Sequence, residues 1–249
     1  MNGRCNEISL DEGALMAALT ETAKQGLLAE GKALLSIMRA EAACVQGRFT
    51  DAHIALERAY AQIEGNGQEN MALCCDFLAR RLSLFTDIGQ RAKLEKRRER
   101  LLAHHNVSWL NLWNAAAAYH HALLGSTDSI PEAYRRHRLF TVRTLAPGKP
   151  MIEMIENQVY LAQGEYAHVI GRSEGLLTQC EAMHYALVAL HIRIQTAAAY
   201  EMLGKHGEAR ALLERALADA EPDGFALPFA ENFRYLEPLL TERLQDGLT

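Results

Sequence analysis

The sequence predicts an all-α fold, a right-handed superhelix of about six antiparallel helix pairs. Gly47, Gly125, Gly164 and Gly204 are separated by 78, 39 and 40 residues, and 78 is twice 39. Stretches with the two-residue alternation of strands are hard to find, and six prolines in 249 residues leave room for long helices. A period of roughly 40 residues, made of two helices and a turn, is typical of an α-solenoid.

Each of these glycines is expected to end the first helix of a pair, because glycine tolerates the left-handed conformation at a helix C-terminus. Tyr160 and Tyr200 each lie four residues before their glycine, which is one helical turn away. The repetition of tyrosine at this position indicates a packing role. Gly89 lies three residues after the place where the missing glycine of the series would fall.

Apolar residues at helical spacing predict twelve helices in all. Ser9 begins a capping box for the first helix, and Ser129 begins another for the seventh, which has Pro131 in its first turn. Pro147 and Pro150 separate the seventh helix from the eighth. The predicted ranges are 10–24, 30–46, 50–63, 69–86, 90–104, 107–124, 131–145, 150–163, 166–179, 183–203, 207–220 and 232–245.

We expect one elongated domain over residues 1–249, with repeats over about 30–220 and a capping helix at 232–245, since a regular repeat has no natural boundary. The net charge of −5 argues against nucleic-acid binding by bulk charge. Five scattered cysteines without a CxxC pair indicate reduced thiols and a cytoplasmic protein. The sequence shows no signal-peptide pattern and no run of 18 apolar residues, so no membrane partner is predicted.

The most specific pattern lies near the C-terminus. EPDGF at 221–225 is followed by PFAEN at 228–232 and by EPLL at 237–240. With the repeats from about Leu34 to Leu240, this pattern resembles the end of the sensor domain in large LuxR-type transcription regulators, the class of the bacterial maltose-regulon activator. In that family the pattern closes a superhelical, tetratricopeptide-like domain.

The resemblance implies a domain that senses a small-molecule effector, or binds a peptide or protein, within a transcription regulator. Regulators of this class also carry an ATPase with a GxxxxGK[ST] loop, which does not occur here, and a terminal helix-turn-helix. We therefore expect both domains to be absent from this chain and DNA to be bound only through the absent helix-turn-helix. The alternative is a stand-alone scaffold or adaptor that mediates protein–protein interactions, and self-association is also open.

Six residues are candidates for the ligand or partner site. The two tryptophans share one helix face at i, i+4 spacing, and Trp113 together with the other four candidates is expected at the inner, concave edge when counted from the glycines. An aromatic wall with sparse polar groups suits a small ligand or a peptide. Core packing of both tryptophans is the alternative. The candidates are Trp109, Trp113, Tyr119, Met154, Gln158 and His191.

Two basic runs predict an outer patch on second helices of the pairs. The first includes Arg91, Arg97 and Arg98, and the second includes Arg135 and Arg136. Such a patch could face DNA or an acidic partner, and a solvated helix face is the alternative. Aromatic residues are not interleaved with the basic ones, which argues against single-strand binding.

The sequence predicts no enzyme, no metal and no cofactor. The pairs His104-His105 and His120-His121 each offer at most one ligand to a common site, because neighbouring helix residues point about 100° apart. Neither HExxH nor GxSxG occurs in the sequence.

Overall fold

The computed structural model of the chain describes residues 28–64, 67–86, 91–105, 107–138 and 148–246. Within these ranges the backbone forms twelve α-helices and two short 3₁₀ helices and no strand, which confirms the all-α class for this part of the chain. The helices are α1 Leu28–Val45, α2 Phe49–Ile63, α3 Glu69–Leu82, α4 Arg91–Ala103, α5 Val107–Leu124, α6 Glu132–Arg135, α7 Lys149–Gln163, α8 Tyr166–Ala182, α9 Ala186–Met202, α10 His206–Ala220, α11 Leu227–Glu231 and α12 Phe233–Asp246.

Alternate helices pack on one another. Helix α1 contacts α3, α3 contacts α5, α5 contacts α7, and α7 contacts α9. We call these five helices the central layer. Helices α2, α4, α8 and α10 pack against this layer from the side, each touching at least one of its chain neighbours. Runs of alanine at 115–118 and 197–199 are buried and let the helices of the central layer approach closely.

The predicted glycine turns are confirmed. Gly47, Gly125, Gly164 and Gly204 all have φ between 71° and 79°, in the left-handed region. After Gly164 the N–H of Glu165 donates to the carbonyl of residue 160 at 2.9 Å, which satisfies a free carbonyl at the end of α7. The predicted turn at Gly89 lies outside the described residues.

The predicted helix 131–145 differs from the structure over its described part. Residues 131–138 contain only the short α6, with Pro131 before its first residue and no side-chain capping bond at its start, and residues 139–147 are outside the described part. The side-chain amide of Gln163 donates to the Arg135 carbonyl at 3.0 Å, and His137 takes φ 51°, so the chain leaves the helix there. The predicted helix 10–24 lies outside the described residues.

The predicted capping helix 232–245 forms one helix, α12, and the short α11 precedes it. Helix α11 ends before Asn232 and α12 begins after it. The Asn232 side chain donates to the Pro228 carbonyl at 3.0 Å, which closes the last turn of α11 and lets the chain change direction. Helix α11 is separate from α12 and contacts both α1 and α9.

The buried apolar residues connect the two ends of the described chain. Leu227 of α11 belongs to the core cluster formed by α1, α2 and α3, whereas Val45 of α1 belongs to the cluster formed by α7 to α12. Cys44, Cys75 and Cys180 are buried free thiols, and Cys74 is a free thiol on the surface. In the described part of the chain, no helix is long and apolar enough to cross a membrane.

Candidate functional site

A short segment near the C-terminus lies against the central layer. This segment, Phe225–Asn232, follows a left-handed turn at Gly224 with φ 65° and contains α11. The N–H of Ala226 donates to the carbonyl of Val45 at 2.9 Å, and the Gln46 side chain donates to the Asp223 carbonyl at 2.9 Å. These bonds fix the start of the C-terminal segment to the end of α1.

A buried ion pair holds the end of the segment. Arg81 of α3 donates to the Glu231 carboxylate from Nε at 2.7 Å and from Nη2 at 3.0 Å. The Arg81 side chain is 4% exposed and the Glu231 side chain 0%. Burial opposes the charge on Arg81, but the adjoining carboxylate outweighs it and keeps the pKa of the guanidinium above its usual value. The Arg81 guanidinium therefore stays charged, and the two side chains satisfy each other's hydrogen-bonding groups.

Two further side chains complete the surroundings of this carboxylate. The Tyr119 hydroxyl of α5 donates to Glu231 Oε2 at 2.9 Å. His191 Nε2 of α9 lies 3.4 Å from Arg81 Nη2, and its Nδ1 lies 4.0 Å from Glu231 Oε2. Burial and the positive charge of Arg81 lower the pKa of His191 to about 4, so the ring is neutral. Since an arginine only donates, Nε2 accepts and Nδ1 carries the proton.

A chain of amide bonds lies beside the ion pair. Gln158 of α7 donates to the side-chain oxygen of Asn232 at 3.1 Å. Gln195 of α9 donates to the Gln158 side-chain oxygen at 2.9 Å and to the Met154 carbonyl at 3.1 Å. All these side chains are buried, so each bond stands in surroundings where an unpaired polar atom is costly. Helices α3, α5, α7 and α9 thus all offer polar groups to the C-terminal segment.

The arrangement is suited to holding a carboxylate beside apolar groups. Leu227 and Phe229 of the same segment enter the apolar clusters on either side of the ion pair. Burial raises the pKa of the neighbouring Cys44 to about 12, so this thiol stays protonated and is a poor nucleophile. Burial likewise raises the pKa of the Tyr119 hydroxyl, which therefore remains a donor.

Three of the six predicted site residues meet here. Tyr119, Gln158 and His191 touch the ion pair or the amide chain, and Met154 contributes its backbone carbonyl. None of the four lines an open groove, because all are buried beneath the C-terminal segment or in the core next to it. Their prediction as ligand-binding residues stays a prediction, and it requires this segment to move.

The tryptophans lie elsewhere. Trp113 is 7% exposed and packs with Leu73 and Leu101 between α3, α4 and α5, while the half-buried Trp109 packs against the same cluster. The Arg80 guanidinium carbon lies 4.6 Å from the centre of the Trp113 ring. Core packing, the alternative reading, therefore describes Trp113.

The predicted basic patch is not a continuous exposed face. Arg97 turns inward, with Nε 2.5 Å from Asp76 Oδ2 and Nη1 2.9 Å from Glu69 Oε2. The exposed Arg98 lies over the Trp113 ring. The Arg91 side chain lies outside the described residues. Arg135 is half-buried on the short α6, and Arg136 is exposed and forms an ion pair with Glu132 at 3.3 Å.

Sequence reasoning did not single out Arg81 or Glu231. A signal was available, since Arg80 and Arg81 interrupt an apolar helix at positions that face its neighbours. An arginine in such a place needs a partner, because long charged residues are almost never fully buried unpaired. Glu231 stands within the PFAEN pattern that carried the family resemblance.

The described residues contain no group of three or more His, Cys, Asp or Glu that could hold a metal ion. No protein-family model matches this chain, and no curated protein matches it either.

Proposed function

We propose that this chain is a ligand-sensing and protein-interaction domain of the LuxR-type regulator class. We place its binding site on the inner side of the central layer, meaning the side that the C-terminal segment covers. One observation carries the proposal: the layer holds a peptide segment, Phe225–Asn232, through polar groups from four helices. The EPDGF and PFAEN patterns that suggested the family lie in and beside this segment.

The proposal includes the architecture. The contacts between alternate helices and the left-handed glycine turns support a tetratricopeptide-like, right-handed superhelix over residues 1–249 treated as one domain. In such an array the first helix of each pair lines the concave side, and we assign the helices of the central layer to that position. A cytoplasmic location belongs to the same proposal, as does DNA contact through a separate helix-turn-helix.

The mechanism we propose is a shift between two arrangements of the C-terminal segment. In one arrangement the segment covers the inner side of the central layer, as in this structure. A small-molecule effector or a partner peptide that prefers the uncovered layer would shift the equilibrium, by no more than its difference in affinity for the two states. Helix α12 follows directly after Asn232 and contacts α9, so its position would report the change. Neither catalysis nor a cofactor enters this mechanism.

A thermal-shift panel of sugars, aromatic acids and short peptides tests the proposal. A true ligand should raise the melting temperature of the wild-type chain in a saturable way. The rise should shrink in Gln158→Leu, which alters the site, and should persist in Ile54→Ser, which changes a residue that is 48% exposed on α2. Stabilisation by peptides alone would favour the scaffold alternative, and no saturable ligand of any class would overturn the sensing function.

A further inference from the structure

The side chains of Arg81, Tyr119 and His191 surround Glu231 and together form a carboxylate-binding site, here called the receptor. These three side chains come from α3, α5 and α9 and approach one carboxylate. The side chains of Arg81 and His191 are 4% exposed, and Tyr119 is 1% exposed. Arg81 supplies two parallel N–H donors, the geometry that recognises a carboxylate at two points. Tyr119 supplies a third donor to the same oxygen that Nη2 contacts.

We propose that the effector or partner of this domain carries a carboxylate next to an apolar group, and that this carboxylate takes the place of Glu231 on Arg81, Tyr119 and His191. The inference rests on the proposed sensing function and names the ligand class for it. The chain's own C-terminal segment is then an internal copy of the ligand, with Glu231 as its carboxylate and Leu227 and Phe229 as its apolar part.

The buried charge of Arg81 decides the ligand class. Displacing the C-terminal segment with an uncharged ligand would leave this guanidinium buried without a counter-charge, which is strongly unfavourable. A carboxylate restores the two-point ion pair and the Tyr119 bond at no such loss. A sugar or another neutral ligand can therefore not replace Glu231 at this position.

The neutral His191 narrows the choice among anions. With Nε2 accepting from Arg81, its Nδ1–H lies 3.5 Å from the Tyr119 hydroxyl oxygen and 4.0 Å from the carboxylate oxygen, so the site offers one full positive charge and dipolar donors. One positive charge matches a singly charged anion, whereas a phosphate dianion would bring an unpaired negative charge into a buried place. A planar carboxylate also fits the fork of Arg81 better.

Rescue of Glu231→Ala by small carboxylates tests the receptor. Sodium acetate should raise the melting temperature of E231A saturably, while acetamide and equal sodium chloride should not. The same titration should have no specific effect on R81M/E231A, which lacks the guanidinium. Equal effects of acetate and chloride on E231A would overturn the proposal.

A peptide experiment tests whether the carboxylate of a ligand can replace Glu231. The peptide LPFAEN, which copies residues 227–232, should bind E231A at least tenfold more tightly than its glutamine analogue LPFAQN in a calorimetric titration. Equal affinities, or no binding of either peptide, would overturn the proposed replacement of Glu231 by a ligand carboxylate.

If E231A does not fold, the wild-type chain keeps the proposal testable. Millimolar LPFAEN should then accelerate amide hydrogen exchange within residues 226–232 of the wild-type chain, and LPFAQN should do so far less. Unchanged exchange with both peptides would overturn the proposal. A sugar that binds saturably in the thermal-shift panel, together with failure of acetate and LPFAEN, would leave the sensing function in place and remove only the carboxylate assignment.

Discussion

Arg81 and Glu231 lie 150 positions apart in the chain and form a buried ion pair with two hydrogen bonds, at 2.7 and 3.0 Å. The pair joins α3, in the first half of the central layer, to α11, which follows all five helices of that layer. Because this contact closes a long loop, it depends on the packing of the helices between the two residues. An intact pair therefore indicates that the C-terminal segment lies against the central layer.

Breaking this pair from one side should be costly. Arg81→Met should lower the free energy of unfolding by about 3–5 kcal/mol, because it leaves the Glu231 carboxylate buried without its partner. The double variant R81M/E231M should lose less than the sum of the two single variants, with a coupling of about 1–3 kcal/mol. Urea unfolding followed by circular dichroism measures all three variants.

The surface pair Arg48–Asp51 provides the control for this cycle. Its side chains are 54% and 59% exposed and 2.7 Å apart. Asp51→Ala should change the free energy of unfolding by less than about 1 kcal/mol, as is usual for exposed pairs. Strict additivity of the two buried substitutions would show that Arg81 and Glu231 act independently.

Trp113 should behave as a core residue. Trp113→Ala should lower the free energy of unfolding by about 3–5 kcal/mol, because the side chain is buried among α3, α4 and α5. Trp109→Ala, on the same helix face but half-buried, should cost clearly less. Both values come from urea unfolding. A loss of unfolding free energy below about 1 kcal/mol for Trp113→Ala would contradict the core role and favour Trp113 as a residue of the ligand or partner site.

The glycine turns were predictable because they depend on local chemistry. A residue with φ near +75° after an apolar helix is most often glycine, so the positions of Gly47, Gly125, Gly164 and Gly204 indicate the ends of helices without any tertiary information. The all-α class follows from the same periodic pattern. The short α6 was not predictable, since Gln163 ends it from another helix.

The ion pair was not predictable for a similar reason. Nothing within a few residues of Arg81 or Glu231 identifies the other as its partner, and one sequence without relatives shows no paired variation. Counting from the glycines nevertheless places Tyr119, Gln158 and His191 on the side of their helices that faces the C-terminal segment. The same count also places Trp113 at that edge, although the structure buries it in another cluster. The count could not show that the chain itself covers that side, since the bonds that hold the C-terminal segment there join residues far apart in the sequence.

Duplex DNA should bind weakly and without sequence preference. In the run along α4, Lys93 pairs with Glu57 at 3.5 Å and Arg97 with Glu69 and Asp76, so only part of the formal charge faces solvent. Fluorescence anisotropy with two unrelated duplexes should give equal affinities that fall steeply with salt, as counterion release requires. Arg98→Ala should weaken both equally. Tight binding to one duplex alone at about 0.15 M salt would contradict this prediction.

Acidification should weaken the fold through His191. Its pKa in the folded chain is about 4, because burial and Arg81 disfavour the charged ring, against an ordinary value of 6.5. Between these two values the unfolded chain binds a proton at this residue and the folded chain does not. The folded state therefore loses stability as the pH falls through this window, by at most about 1.4 kcal/mol per pH unit.

The variant His191→Gln removes this titration. Its free energy of unfolding, subtracted from that of the wild-type chain, should leave a difference that is constant above about pH 7.5 and falls as the pH is lowered from about 6.5 to about 4. Other acid-sensitive groups, including His120, are present in both chains and cancel. Tyr119→Phe is the matched control: it removes a bond to the same carboxylate but titrates nothing in this range, so its difference should be flat. A flat difference for His191→Gln as well would mean that the folded chain takes up this proton as readily as the unfolded one, and that the ring next to Arg81 is not held neutral.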